Sequence, residues 1–115
     1  MQSMSKIKFD LLSLIESIDK IQNYSQEFLN ADDFYNDQKS FDASMMQLVV
    51  IGETITRLDE SFKKTHQHIP WQKIKDFRNI IAHDYFGIDA DEIWDIIQNK
   101  LIPLRSEIQI LVDKM

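Results

Sequence analysis

A chain of 115 residues that is 43 % hydrophobic and 28 % charged, with only two glycines and two prolines, is too apolar for disorder and too poor in turn formers for a many-stranded sheet, so one all-α domain over residues 1–115 is expected. The lack of cysteine excludes disulfides, thiolate zinc sites and cysteine nucleophiles, and fits a reducing compartment. A net charge of −6 argues against general nucleic-acid binding, which depends on Lys and Arg neutralising phosphates, and DNA is not an expected partner.

The start, MQSMSKIKFDLLSLIES, has no uninterrupted apolar region, and no later run approaches the roughly 18 apolar residues of a membrane span. A soluble, untargeted, cytoplasmic protein with no membrane partner is the expectation. Ile7, Leu11, Leu14, Ile18, Ile21, Ser25 and Phe28 recur at helical spacing, which predicts an amphipathic helix from about residue 5 to 30. DDFYNDQ is turn-like, and a second helix is expected to start between Asp33 and Gln38 and run to about Glu60. It places Phe41, Met45, Leu48, Gly52, Ile55 and Phe62 on one stripe, with Met46, Val49, Val50 and Ile51 around most of the rest. A helix apolar on two sides needs two covers. Either it is the central helix of a four-helix bundle, or a second copy of the chain covers one side, with Gly52 allowing close approach.

KKTHQHIP reads as a short connection, and Pro70 suits the first turn of a new helix. Trp71, Ile74, Phe77, Ile81 and Tyr85 follow at helical spacing up to Gly87, with Ile80, Ile81 and Ala82 expected to anchor the segment in the core. Asp89 with Glu92 resembles a capping box before a last helix striped by Ile93, Ile97, Leu101, Leu104, Ile108 and Leu111. Pro103 inside that stripe predicts a kink or break near residues 99 to 103. The sum is an antiparallel bundle of four to five helices.

The polar residues concentrate in RNIIAHDY, residues 78 to 85, at the end of the one basic segment. Residues 57 to 78 carry six basic side chains against three acidic ones, a local +3 that leaves −9 for the remainder. On a continuous helix Gln72, Asp76, Asn79 and His83 line one face, and Arg78 and Tyr85 share a neighbouring one. Arg78 and His83, five residues apart, point about 140° away from each other. Acting on one group would need the guanidinium to wrap past Asn79, the helix to loosen, or another chain to complete the site. The chemistry such a set suits is RNA cleavage by the substrate's own 2′-hydroxyl. Histidine, with a reference pKa of about 6.5, serves as base or acid near neutrality. Arginine offers a permanently charged fork to phosphate oxygens. Asn79 suits a phosphate or the imidazole, and Asp76 shares its face. Each chain contributes one His83, so two-histidine chemistry at this motif needs a symmetric dimer. Each residue also has an ordinary reading: Arg78 as an ion-pair partner of Asp76 or Asp84, His83 against the helix dipole, Tyr85 as a core aromatic. His66 and His68 lie two apart in a loop without a partner motif, so no metal is expected, and no cofactor-binding fingerprint is present.

Arg78, Asn79 and His83 match the Arg-x(4 to 6)-His pattern of the HEPN superfamily, and with Tyr85 the chain resembles the HepT group of toxins, whose pattern is Arg-x-x-x-x-His-x-Tyr. FLNADD, VIGETITRL, IPWQKIKDFRNIIAHDYFGID and IWDIIQNKLIPLRSEI extend the resemblance over nearly the whole chain. It implies an all-helical homodimer with the motif near the two-fold interface and a metal-independent endoribonuclease, the toxin of a type VII-like toxin-antitoxin pair, with Arg78 and His83 catalytic. It further implies that a minimal nucleotidyltransferase antitoxin transfers AMP to Tyr85. On a continuous helix the attached phosphate would then reach the Arg78 guanidinium; cover of the site by bulk alone is the other route. A non-catalytic module that binds a nucleotidyltransferase and helps position its substrate is the alternative.

Overall fold

The computed structural model describes residues 3–115, whose regular secondary structure is all helical, with no strand among them. Eight α-helices follow in order: α1 (Met4–Ser25), α2 (Ala31–Asn36), α3 (Gln38–Arg57), α4 (Glu60–Thr65), α5 (Trp71–Lys75), α6 (Phe77–His83), α7 (Ala90–Asp95) and α8 (Leu101–Asp113), with a π-helical turn at Ile96–Lys100. There are more elements than the periodicity predicts because several long apolar stripes are interrupted by side-chain caps.

The first helix ends at Ser25, whose Oγ donates to the Ile21 carbonyl at 2.8 Å. Asn30 then accepts the Asp33 N–H at 2.9 Å and starts α2, so part of DDFYNDQ is helix and not turn. Phe34 of α2 is fully buried and touches Phe28, Phe41 and Trp94 with ring centroids 5.5 to 5.7 Å apart. Asp37 caps α3 by accepting from Ser40 N–H at 3.0 Å. That helix stops at Arg57 rather than Glu60, because Asp59 caps α4; Phe62 therefore packs from α4. The Lys63 ammonium, buried, closes the end of α3 by donating to the Ile55 carbonyl at 2.8 Å.

Three helix pairings are antiparallel. Asp10 of α1, fully buried, meets Arg57 at the end of α3 at 3.2 Å. Asp19 and Gln22 of α1 meet Arg105 of α8 and the carbonyl of Ile97 respectively. Gly52 and Asp42 of α3 meet Arg78 and Tyr85 in reverse order. The core between them is aliphatic: Leu11, Leu14, Ile18, Leu48, Ile51, Ile55, Ile97, Leu101 and Ile108 are essentially inaccessible.

The break predicted around Pro103 takes the form of the π-helical turn just before it. There Leu101 N–H bonds to the Ile96 carbonyl, one residue farther back than in an α-helix. That shift frees the Ile97 carbonyl, and Gln22 Nε2 donates to it at 3.1 Å. Asp89 caps α7 as expected, accepting from Asp91 and Glu92 N–H at 2.9 and 3.3 Å.

Candidate active site

The segment expected as one helix from Pro70 to Gly87 is divided. Pro70 precedes α5, a turn at Asp76 separates α5 from α6, and α6 ends at His83. Asp84 is responsible for that end: its backbone is extended, and its carboxylate and carbonyl both accept the Gly87 N–H, at 3.0 and 3.2 Å. Phe77 and Ile81 seat α6 in the core; Ile80 is half-buried and Ala82 is exposed, so Ala82 does not anchor the segment.

Arg78 leaves α6 on the side facing α3. Gly52 lies so close beneath it that a Cβ there would stand 2.8 Å from Arg78 Cβ and 3.2 Å from the Lys75 carbonyl. The bare glycine thus serves the docking of α6 within the chain; it is buried and does not face outward to a second copy. From this position Arg78 Nε donates to Glu53 Oε1 at 2.5 Å, so its ion-pair partner is Glu53 and neither Asp76 nor Asp84. The polar face expected from spacing forms as predicted on its first members: Asp76 Oδ1 accepts from Gln72 Nε2 at 2.8 Å and from Asn79 Nδ2 at 3.4 Å. His83, one turn beyond Asn79, is exposed, and its ring has no hydrogen bond or ion pair among the described residues. Because Arg78 and His83 lie on the same short helix, five residues keeps them on different sides of it, about 140° apart.

Tyr85 lies beyond the helix and does not share a face with Arg78. Its ring is half-buried, edge-on to Phe41 at 6.3 Å, and its hydroxyl donates to Asp42 Oδ1 near the start of α3. Burial raises the phenol well above its ordinary value, and the Asp42 hydrogen bond adds to the shift. The same bond, with a second from Gln38 Nε2 at 2.7 Å, holds the Asp42 carboxyl below its usual range. Asp42 and Glu53 lie three turns apart on one side of α3, about 16 Å along its axis. The Tyr85 hydroxyl and the Arg78 guanidinium are anchored to opposite ends of that span. Between them Met46 and Val50 are exposed, at 61 % and 37 %, with Val49 half-buried.

Sequence reasoning missed Glu53 and Asp42. Glu53 had a signal, since it adjoins Gly52, the residue that brings α6 close. Asp42 had none, because its meeting with Tyr85 depends on how α3 and the turn after α6 dock. The two loop histidines meet edge-on, with ring centroids 6.1 Å apart, but have separate partners: His66 Nδ1 lies 2.9 Å from the Phe62 carbonyl and His68 Nε2 lies 3.4 Å from Glu107 of α8. Among the described residues no three His, Asp or Glu side chains are grouped as metal ligands, and no helix is long and apolar enough to cross a membrane.

Comparison with known proteins places this geometry in a family. The "Probable ribonuclease HepT" of Thermococcus cleftensis is 29 % identical over 99 residues, covering 86 % of this chain and 89 % of that protein. A Methanocaldococcus jannaschii protein named "Putative RNase" is 33 % identical over 91 residues, 79 % of this chain and 74 % of its own length. A longer protein of the same organism, "Gamma-glutamylcyclotransferase and putative RNase", is 29 % identical over 109 residues; this chain spans 95 % of itself but 49 % of that relative, about half its length. No solved structure matches. The family model described as "Ribonuclease HepT-like" matches residues 14–111, from the middle of α1 to near the end of α8 and across the whole of RNIIAHDY, and the chain belongs to that family.

Proposed function

We propose that this chain is a metal-independent endoribonuclease acting as the toxin of a toxin-antitoxin pair. The observation that carries the reading is the exposure of Arg78, Asn79 and His83 together on α6 in a chain of the HepT-like ribonuclease family. In this reading His83 moves a proton at the 2′-hydroxyl or at the departing 5′-oxygen, and Arg78 carries the charge of the phosphorane between them. Asn79 and Asp76 support the phosphate side of the site. The divergence of Arg78 and His83 around α6 gives a symmetric homodimer its chemical purpose, since a second copy supplies the group that one copy turns away. Met46 and Val50 of α3, with Phe9 of α1 beside Val50 on the same groove, offer the apolar surface for that contact. A minimal nucleotidyltransferase antitoxin neutralises the toxin by transferring AMP to Tyr85. With Tyr85 anchored about 16 Å along α3 from Glu53, the adenylyl group acts by covering the face between them rather than by seating its phosphate on Arg78.

Cleavage of RNA in EDTA by the purified chain, lost in His83→Ala and in Arg78→Ala, is the expected result. Undiminished cleavage by His83→Ala overturns the catalytic assignment. Glutamate at both Met46 and Val50 is expected to give a monomer in sedimentation, with cleavage lost.

The Arg78–Glu53 ion pair favours a second reading, because it occupies the guanidinium within the chain. In that reading the protein is a non-catalytic helical module that binds a nucleotidyltransferase and helps position its substrate. Growth arrest when the chain is expressed alone, relieved by its partner, separates the toxin from the module.

A further inference from the structure

Tyr85 is held by its hydroxyl, and the group that holds it is a carboxylate. Asp42 is exposed, near the start of α3, and accepts the Tyr85 Oη–H on Oδ1 while Gln38 Nε2 fixes that same oxygen from one turn earlier. Phe34 and Phe41 set the position of the pair: Phe41 is buried beside Asp42, packs at a tilt against Phe34 with ring centroids 5.5 Å apart and meets the Tyr85 ring edge-on. Asp84 and Gly87 close the turn that carries Tyr85, and Phe86 next to it is 92 % exposed. The phenol oxygen therefore sits at the surface, aimed and hydrogen-bonded. Among the described residues the hydroxyls of Tyr24 and Tyr35 have no such carboxylate.

We propose that Asp42 is the proton acceptor and positioning partner for nucleotidyl transfer to Tyr85, an inference that rests on the reading of Tyr85 as the modified residue. In the step, an Oη lone pair attacks the α-phosphorus of a nucleoside triphosphate. The Oη–P bond forms, the bond from the α-phosphorus to the bridging oxygen breaks, and pyrophosphate leaves. The phenolic proton passes to Asp42 Oδ1 and from there to water. The free phenol is far too weak an acid to surrender its proton beforehand at neutral pH, so transfer accompanies bond formation, when the attacking oxygen becomes more acidic than a carboxyl group. A fixed acceptor also selects one rotamer of the ring, which removes orientational freedom from the attack. The carboxylate repels an incoming triphosphate, so its role is in the chemical step and not in nucleotide binding.

The test uses the full chain, ATP and a minimal nucleotidyltransferase, with intact mass reading the adenylyl adduct over time. Asp42→Asn is expected to slow modification at saturating ATP about 100-fold without raising the KM for ATP. Asp42→Glu should recover part of the rate, and the wild-type rate should fall at acid pH along a limb absent from Asp42→Asn. Thermal midpoints of both variants identify any loss from misfolding. Modification of folded Asp42→Asn within about threefold of wild type, with the same pH profile, overturns the inference and leaves Tyr85 as acceptor. A wild-type chain that takes no adenylyl group, or takes it on Tyr24 or Tyr35, overturns the reading of Tyr85 and this inference with it.

Discussion

Gly52 of α3 and Arg78 of α6 are in backbone-to-side-chain contact so tight that a methyl group on the glycine would lie 2.8 Å from Arg78 Cβ. The candidate catalytic arginine is thus placed by the absence of a side chain on another helix. Alanine at position 52 gains up to about 1 kcal/mol of helix propensity but forces an overpacked contact that costs about 1 to 3 kcal/mol. The Lys75 carbonyl at 3.2 Å is backbone and cannot swing aside. Gly52→Ala is expected to lose about 1 kcal/mol net in urea denaturation, with RNA cleavage falling more steeply than stability. A more stable Gly52→Ala protein would mean that α6 shifts without resistance.

The ion pair between Arg78 and Glu53 sets a competition. Both side chains are about half exposed, and such pairs contribute about 0.2 to 1 kcal/mol. If RNA phosphate takes the guanidinium, it must displace Glu53, and Glu53→Gln should tighten RNA binding by up to about fivefold. Affinity is read in the His83→Ala background, where substrate is not consumed. The gain should vanish when Arg78→Ala is added; persistence of the gain would show that Glu53 acts through the general surface charge.

The Tyr85–Asp42 bond predicts a pH window. Tyr85 is raised in the folded chain, so its contribution is complete below the ordinary phenol value of about 10 and is lost as pH rises through the higher folded value. Asp42 is lowered, so its contribution is complete above about 3.9 and is lost as pH falls below that. The difference in thermal stability between wild type and Tyr85→Phe should therefore be flat from about pH 5 to 9 and shrink toward pH 3. A difference that persists unchanged at pH 3 would exclude the carboxylate as the partner.

Gln22 is tied to the π-helical turn. Its Nε2 donates to the Ile97 carbonyl, which the shifted bond from Leu101 to Ile96 leaves available. Gln22→Leu keeps the volume and strands that carbonyl in a half-buried position, at an expected cost of about 1 kcal/mol. Urea denaturation of Gln22→Leu and Gln22→Ala reads it; two fully stable variants would show that water satisfies the carbonyl equally well.

Much of this fold is written in local pattern. The stripe Ile7, Leu11, Leu14, Ile18 and Ile21 is buried on α1, and Leu101, Leu104, Ile108 and Leu111 are buried on α8, because a 3.6-residue period leaves an apolar face no other place to go. Asp89 before α7, Pro70 before α5 and the departure from α-helical bonding ahead of Pro103 are also local, each depending on a few neighbouring residues. So is the angle between Arg78 and His83, which follows from five helical steps.

What only the tertiary structure decided lies at the helix ends and between helices. Asn30, Asp59 and Asp84 each break or begin a helix, yet Asp10 and Asp42 lie inside helices beside equally buried apolar residues, so residue type and neighbours do not by themselves mark the ends. Phe34 is the example: its burial against Phe28, Phe41 and Trp94 makes a helix of a stretch that reads as a turn. The partners of the candidate residues are longer-range still. Glu53 is 25 positions from Arg78 and Asp42 is 43 from Tyr85, and each meeting exists because α3 and the segment from α5 to Gly87 run antiparallel in one register. A one-turn slip would move every contact by about 5.4 Å, and it is Gly52, too small to resist the approach of Arg78, that selects the register observed.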